Sequence, residues 1–135
     1  MIARGIRNCN PGNLERGTNW LGLKPIQDDP RFCQFVSMDY GCRALLKTLM
    51  TYRNKHGLKT IRGIINRWAP NIENNTSGYM QRVSKAIGYG LDDELPMSTK
   101  AYVALGKAIA GVECGAEASV ITEQDWDRGA GMAGL

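Results

Sequence analysis

The 135-residue sequence contains one histidine, His56, and four cysteines, no two of which form a C-x-x-C pair. Zinc sites usually combine such cysteine pairs or several histidines, so we predict no metal and no cofactor. A lone histidine and the lack of a glycine-rich phosphate loop also argue against nucleophilic triads and nucleotide chemistry. Cys9, Cys33, Cys42 and Cys114 are expected to be reduced thiols that pack as small apolar side chains.

Long apolar runs are missing as well. No window approaches the roughly 18 apolar residues that span a bilayer, and the opening MIARGIRNCN lacks the apolar core of a signal peptide. We therefore expect synthesis in the cytoplasm and no membrane insertion. Action in the periplasm or cell wall would then require a holin, a virion or a secretion machine to carry the protein across.

Acidic residues are absent between Asp39 and Glu73, in a chain of net charge +4. The segment contains seven basic residues, namely Arg43, Lys47, Arg53, Lys55, Lys59, Arg62 and Arg67. They form either an ordinary solvated helix surface or a basic face for an anionic partner. No nucleic-acid partner is expected, because no helix-turn-helix, aromatic platform or zinc finger accompanies the charge.

Glycine and proline interrupt the first third of the chain, which is expected to form loops with short strands at 20–23 and 32–36. A period of 3.6 then predicts helices over 37–56, 60–68, 76–87 and 98–114, the third capped by Thr76. The run TEQD at 122–125 has the spacing of a capping box and predicts a last short helix. The fold class is thus mainly α: one domain, 1–135, with a small N-terminal loop or β region.

Asn-Pro and Pro-Gly turn signals fall together in RGIRNCNPGNL, at residues 4–14. Proline presets φ and glycine accepts positive φ, so the stretch from Asn10 to Asn13 is expected to hold one shape. A rigid loop rich in asparagine amides is a candidate binding element.

Among the acids, Glu113 is the best candidate for a general acid. It follows Leu105, Ile109 and Val112 at the last turn of a predicted helix. A helix C-terminus and apolar neighbours both favour the neutral carboxyl, so a raised pKa is expected. Such a group can protonate the leaving oxygen of a glycosidic bond. The alternative is a solvated acid that merely ends a helix.

Glu73 is the second candidate, in APNIENNTSGY. The N-terminus of the following helix would stabilise its anion, which suits a base or a structural role. Tyr79 would lie on the same surface, one turn further along. The alternatives are charge decoration for Glu73 and a core position for Tyr79.

Four stretches resemble a phage and prophage family of small virion or lysis-associated proteins, which usually open on R-N-N-N-P-G-N. They are RGIRNCNPGNL, TNWLGL, FCQFVSMDYGCRALLKTLMTY and TIRGIINRWAPNIENNTSGYMQRVSKAIG, and the resemblance covers residues 4–115. Cys9 replaces the family's middle asparagine. The family is similar to the lysozyme-like superfamily, so an α+β lysozyme-like fold is implied.

The motif order resembles a circular permutation of the superfamily's order, because the asparagine loop comes first and VECG comes last. Glu113 would then match the catalytic acid. The resemblance further implies a glycan cleft with Asn8, Asn10, Asn13, Gln34, Glu73, Thr76 and Tyr79 as substrate-binding residues, while Trp20, Trp68 and Tyr79 are candidates for stacking on sugars.

The resemblance implies a peptidoglycan-cleaving glycosidase, either a lysozyme or a lytic transglycosylase, whose partner is the glycan strand of the cell wall. Two other interpretations stay open. One is a virion or tail protein that binds glycan without cleaving it. The other is a basic scaffold or nucleic-acid partner.

Overall fold

The protein is described by a computed structural model over residues 2–70 and 75–135. Its α-helices are α1 (Arg4–Arg7), α2 (Met38–His56), α3 (Ile61–Trp68), α4 (Thr76–Ile87), α5 (Thr99–Cys114) and α6 (Glu123–Ala133). A 3₁₀ segment, Gly115–Val120, joins α5 to α6. The predicted mainly α class is confirmed, and the short helix α1 was not predicted.

Side-chain caps begin most of the longer helices. Thr60 and Ser98 accept backbone N–H bonds at the starts of α3 and α5, and Thr122 and Asp125 form the predicted capping box of α6. The prediction for α4 was wrong by one residue. Its cap is Asn75, whose side chain accepts a bond from the Gly78 N–H at 3.0 Å.

The two short strands predicted near the N-terminus do not form as strands. Two isolated antiparallel bridges stand in their place, Glu15 to Phe32 and Leu23 to Phe35. Next to the second bridge, a side chain bonds to backbone groups that a strand ladder would use. The Gln27 amide donates to the Gln34 carbonyl at 2.8 Å and accepts from the Gln34 N–H at 2.7 Å. The pairing therefore does not propagate into a ladder.

Helix α2 lies at the centre of the apolar core and packs against α5 and α6. The α2–α6 crossing is close because Gly129 has no side chain; a Cβ there would lie 2.7 Å from the Cβ of Cys42. The fully buried apolar side chains of this core include Leu45, Leu46, Leu49, Ile61, Ile64, Ile65, Val83, Leu95, Leu105 and Ile109.

The N-terminal segment, residues 2–36, docks on this helical body through close backbone approaches. A Cβ on Gly41 of α2 would lie 1.9 Å from the Cys9 carbonyl oxygen, and one on Gly12 would lie 3.0 Å from the Trp68 ring. The Cys114 thiol donates to the Pro11 carbonyl at 3.6 Å. The loop is thereby fixed against the C-terminal end of α5.

All four cysteines are free thiols, and Cys9 alone is only half-buried. Burial raises the pKa of Cys114 to about 11, which keeps it protonated as the donor to Pro11. Within the residues described, no helix combines the length and apolarity needed to cross a membrane.

The basic run of residues 43–67 is not a uniform cationic face. Arg62 forms a two-bond ion pair with Asp92, and the Arg53 guanidinium, 13% exposed, donates to the Leu95 carbonyl and the Tyr102 hydroxyl. Part of the run therefore fastens the loop between α4 and α5.

Candidate functional site

Glu113 is the last residue but one of α5 and is half-buried. The helix ends because Gly115 takes φ +65°, a left-handed value that side chains oppose. The sequence thus places the carboxyl at a helix C-terminus, as predicted.

Two neutral side chains hold this carboxyl. The Asn13 amide donates to Oε1 at 3.1 Å, and the Tyr79 hydroxyl donates to Oε2 at 2.8 Å. Asn13 comes from the N-terminal segment and Tyr79 from α4. Three separate parts of the chain therefore meet at one carboxyl group.

Tyr79 remains a phenol under ordinary conditions. Burial is the largest effect on its pKa, followed by the charge and the hydrogen bond of Glu113; together they raise the pKa far above its usual value. A hydrogen bond with the Trp68 side chain and the charge of Arg82 act weakly in the other direction. Tyr79 is thus a permanent hydroxyl partner of Glu113.

Asn13 has φ +49°, in the left-handed region, which asparagine tolerates better than most residues. Its amide nitrogen is aimed at Glu113, and its Oδ1 is buried without a hydrogen-bond partner in the described part of the chain. A buried acceptor without a partner is rare in proteins and is found at some catalytic sites.

Glu113 lines two neighbouring clefts. We call the first, of about 280 Å³, the aromatic cleft. Its lining residues are Gly12, Asn13, Leu14, Glu15, Arg31, Phe32, Thr48, Tyr52, Trp68, Ala69, Pro70 and Glu113. Tyr52 and Trp68 meet there edge to face, with ring centroids 6.5 Å apart. Aromatic rings beside a carboxyl group suit a ligand with apolar faces and polar edges.

We call the second, of about 500 Å³, the α4 cleft. It is lined by Asn75, Gly78, Tyr79, Arg82, Val112 and Glu113. Glu113 is the residue that the linings of the two clefts share.

No protein-family model matches the chain. Protein P5 of Pseudoalteromonas phage PM2 is 38% identical to it over 117 residues, which cover 84% of this chain and 72% of that protein. The chain belongs to the protein P5 family. The P5 family thus includes a bacteriophage protein, in agreement with the phage association that the sequence resemblance implied.

Of the predicted site residues, this P5-family chain brings together Asn13, Tyr79 and Glu113. Asn8 and Asn10 are buried in the N-terminal segment instead, 1% and 0% exposed. The Asn10 amide bonds to Leu14 and to the Cys33 carbonyl, while Asn8 bonds to Asp29 and Gln34. They shape the loop and do not line either cleft.

Gln34 and Thr76 likewise have structural positions. Gln34 accepts from the Asp28 N–H at 2.6 Å, and the Thr76 hydroxyl donates to the Ala69 carbonyl at 2.5 Å. Glu73 lies outside the described residues. Trp68 lines the aromatic cleft, whereas Trp20 lines a different cleft with Arg43 and Lys47.

Asp29 is a buried acid of the N-terminal segment. It is 7% exposed and accepts two bonds from Arg4, one from Asn8 and the backbone N–H bonds of Arg31 and Phe32. The Arg4 guanidinium is the main cause that holds the pKa of Asp29 well below its usual range. Asp29 is therefore the charged centre of the N-terminal segment.

Several cleft residues were missed by sequence reasoning. The sequence predicts a strand around Phe32 and a helix around Tyr52 but no cleft, yet both residues line the aromatic cleft. Arg82 received no role, although it lines the α4 cleft. A core aromatic and a cleft aromatic have the same helical spacing, so no local signal separates them.

Proposed function

We propose that this P5-family chain is a peptidoglycan-cleaving glycosidase of the lysozyme-like α+β type, with Glu113 as its general acid. The supporting observation is the position of Glu113, fixed by Asn13 and Tyr79 at the junction of the two clefts. The substrate would be the glycan strand of the cell wall, reached in the periplasm through a holin, a virion or a secretion machine.

The chemistry assigned to Glu113 is proton donation to the glycosidic oxygen as the bond to the anomeric carbon breaks. Tyr79 and Asn13 fix the orientation of the carboxyl group through one oxygen each. The Tyr79 hydroxyl can rotate, so it can donate to a carboxylate and accept from the protonated acid. The pair therefore supports both states of the catalytic cycle.

A second carboxylate would decide how the cleaved sugar is captured. Among the described residues that line the two clefts, Glu15 is the other acid, and Arg31 binds its Oε1 at 2.9 Å. Glu15 is thus engaged at an exposed rim. A lysozyme would activate water with such a carboxylate, whereas a lytic transglycosylase uses a hydroxyl of the sugar itself, and the two types release different products.

Digestion of purified peptidoglycan, followed by mass analysis of the products, tests this proposal. Products one water lighter than the hydrolytic ones indicate transglycosylation. Glu113→Gln keeps the shape of the side chain but has no acidic proton, so activity should fall on the order of 10² to 10⁴-fold. Circular dichroism should show an unchanged helix content.

Two controls make the result specific. Asp127→Asn changes an exposed acid of α6 and should leave the rate unchanged. Glu73→Gln separates the two candidate acids. If Glu113→Gln clears peptidoglycan at the wild-type rate while Glu73→Gln does not, the assignment of the acid and the permuted motif order are both wrong.

A second candidate function is a virion or tail module that binds cell-wall glycan without turnover. It is favoured by the engagement of both Glu113 oxygens by neutral donors, which also suits a carboxylate that only binds sugar hydroxyls. A wild-type protein that sediments with peptidoglycan but releases no fragments would establish this role.

A further inference from the structure

A third cleft continues the α4 cleft along the surface between α4 and α5. It measures about 380 Å³ and is lined by Arg82, Ala86, Ile87, Ala104, Lys107, Ala108, Gly111 and Val112. Arg82 and Val112 belong to both the α4 cleft and this one. We call it the α4–α5 groove. The aromatic cleft, the α4 cleft and the groove thus follow one another, with Glu113 at the first junction.

The α4–α5 groove is lined largely by small side chains, and its charged residues are basic. Ala86, Ala104 and Ala108 line it, and a Cβ on Gly111 would have no atom within 4 Å. Its two charged residues, Arg82 and Lys107, are both basic. The Lys107 ammonium is bonded to Glu123, which leaves Arg82 as the main candidate to meet a ligand.

Arg82 stands at the boundary between the α4 cleft and the groove. Its side chain is exposed, and in the described part of the chain no acidic side chain forms an ion pair with it. Its charge is close enough to Tyr79 to oppose, in small part, the overall rise in the pKa of that phenol. A guanidinium so placed would meet a ligand just beyond the Glu113 carboxyl group.

We propose that the α4–α5 groove holds the continuation of the glycan strand and that Arg82 binds a carboxylate of that strand. This rests on the proposed function in one respect, that a strand passes Glu113. A guanidinium pairs with a carboxylate through two parallel hydrogen bonds. The carboxylate belongs either to the lactyl ether of the muramic sugar or to the stem peptide. Arg82 would thus distinguish cell-wall strands from neutral chitin.

The test measures binding, with Glu113→Gln as the background so that no strand is cut. Three probes are compared: intact strands, whose free carboxylates are those of the stem peptide; strands from which an amidase has removed the peptide, which frees the lactyl carboxylate; and the neutral hexamer of N-acetylglucosamine. Arg82→Gln is compared with Lys85→Gln, an exposed cation on the same helix that does not line the groove.

Arg82→Gln should weaken binding of carboxylate-bearing strands about two- to fivefold, as for other solvent-exposed ion pairs, and high salt should abolish the difference. Binding of the neutral hexamer should stay the same, as should every measurement with Lys85→Gln. A loss with intact strands alone assigns the stem-peptide carboxylate, and a loss with amidase-treated strands alone assigns the lactyl carboxylate. A loss with both strand types shows that Arg82 pairs with whichever of the two carboxylates is free.

The inference is overturned if Arg82→Gln binds every probe as the background protein does, or if it loses the neutral hexamer equally. Neither result depends on cleavage. Absence of any fragments from the wild-type protein would instead count against the proposed function and leave the binding comparison intact.

Discussion

The N-terminal segment and the helical body are stabilised in different ways. The body buries leucine and isoleucine side chains from successive helices in one apolar core. The N-terminal segment has a far smaller apolar cluster, in which Cys33 and Phe35 pack with Ala44 of α2. Polar groups buried around Asp29 and Asn10 hold the rest of it, and each needs its partners because an unpaired buried polar group is costly.

The candidate site lies on the boundary between these two regions. Asn13 belongs to the polar segment, while Tyr79 and Glu113 belong to the apolar body. The orientation of the Glu113 carboxyl group therefore depends on how the segment docks. Docking uses close backbone contacts and single hydrogen bonds, such as that from the Ala3 N–H to Glu117 at 2.6 Å.

The largest effect is expected from Gly41→Ala, which obstructs the docking surface. Its Cβ would overlap the Cys9 carbonyl oxygen, a backbone atom that cannot rotate away. We expect the free energy of unfolding to fall by about 3 kcal/mol, because backbone must move to relieve the overlap. Denaturant titration measures the change.

Gly131→Ala is the matched control, because it is also a helical glycine but its Cβ would meet no atom within 4 Å. It should stabilise the protein by up to about 1 kcal/mol through helix propensity. Equal effects of the two substitutions would show that the segment does not depend on its close approach to α2.

The contrast between the two regions also explains why the helices could be predicted from the sequence while the structure of the N-terminal segment could not. The helices α2 to α6 were predicted because their apolar period and their caps, such as Thr60 and Thr122, are local signals. In the N-terminal segment, by contrast, Gln27 and Gln34 replaced strand pairing with side-chain bonds, which no period encodes.

Only part of the candidate site could be predicted from the sequence, because only part of it depends on local features. Glu113 was found from its place at a helix end, a local feature. The bond from Asn13 joins residues 100 positions apart, so loop composition suggested Asn13 but equally suggested Asn8 and Asn10. Burial separates them, and burial is decided by tertiary packing.

Asn13→Gly tests whether the segment contributes to the site beyond its own stability. Glycine accepts the left-handed φ of this position but has no amide to donate to Glu113. The bond orients the proposed acid, and misplacing a catalytic group costs up to about 100-fold, so kcat/KM should fall about 10- to 100-fold. A hydrogen bond to a charged group contributes about 1.5–3 kcal/mol to stability, so the unfolding free energy should fall by no more than about that amount.

Asn13→Ala separates strain from catalysis, because it also lacks the amide but opposes the positive φ. Both variants should lose activity to a similar extent, and the alanine variant should lose more stability than the glycine variant. A purely structural role for Asn13 predicts instead that activity follows stability.

The smallest effect expected is a dependence of the unfolding free energy on acidic pH. It comes from Asp29, so it tests the N-terminal segment and not the apolar body. The ordinary pKa of Asp29, 3.8, is lowered in the folded protein, mainly by its bond to Arg4. A carboxyl group whose folded pKa lies below its unfolded pKa contributes stability that is fully present above the unfolded value and is lost as the pH falls below it. Asp29→Asn lacks this charge, so the variant should be less stable than the wild type at neutral pH, and the two unfolding free energies should converge as the pH falls below about 4.

The matched control is Asp92→Asn. Both side chains of its ion pair with Arg62 are exposed, so its loss should change the unfolding free energy less. A difference that stayed constant from pH 7 to pH 3 would mean that Asp29 acts through shape and not through charge. Convergence, with activity lost on acidification before the helical signal, would show that the polar segment leaves the site while the apolar body remains folded.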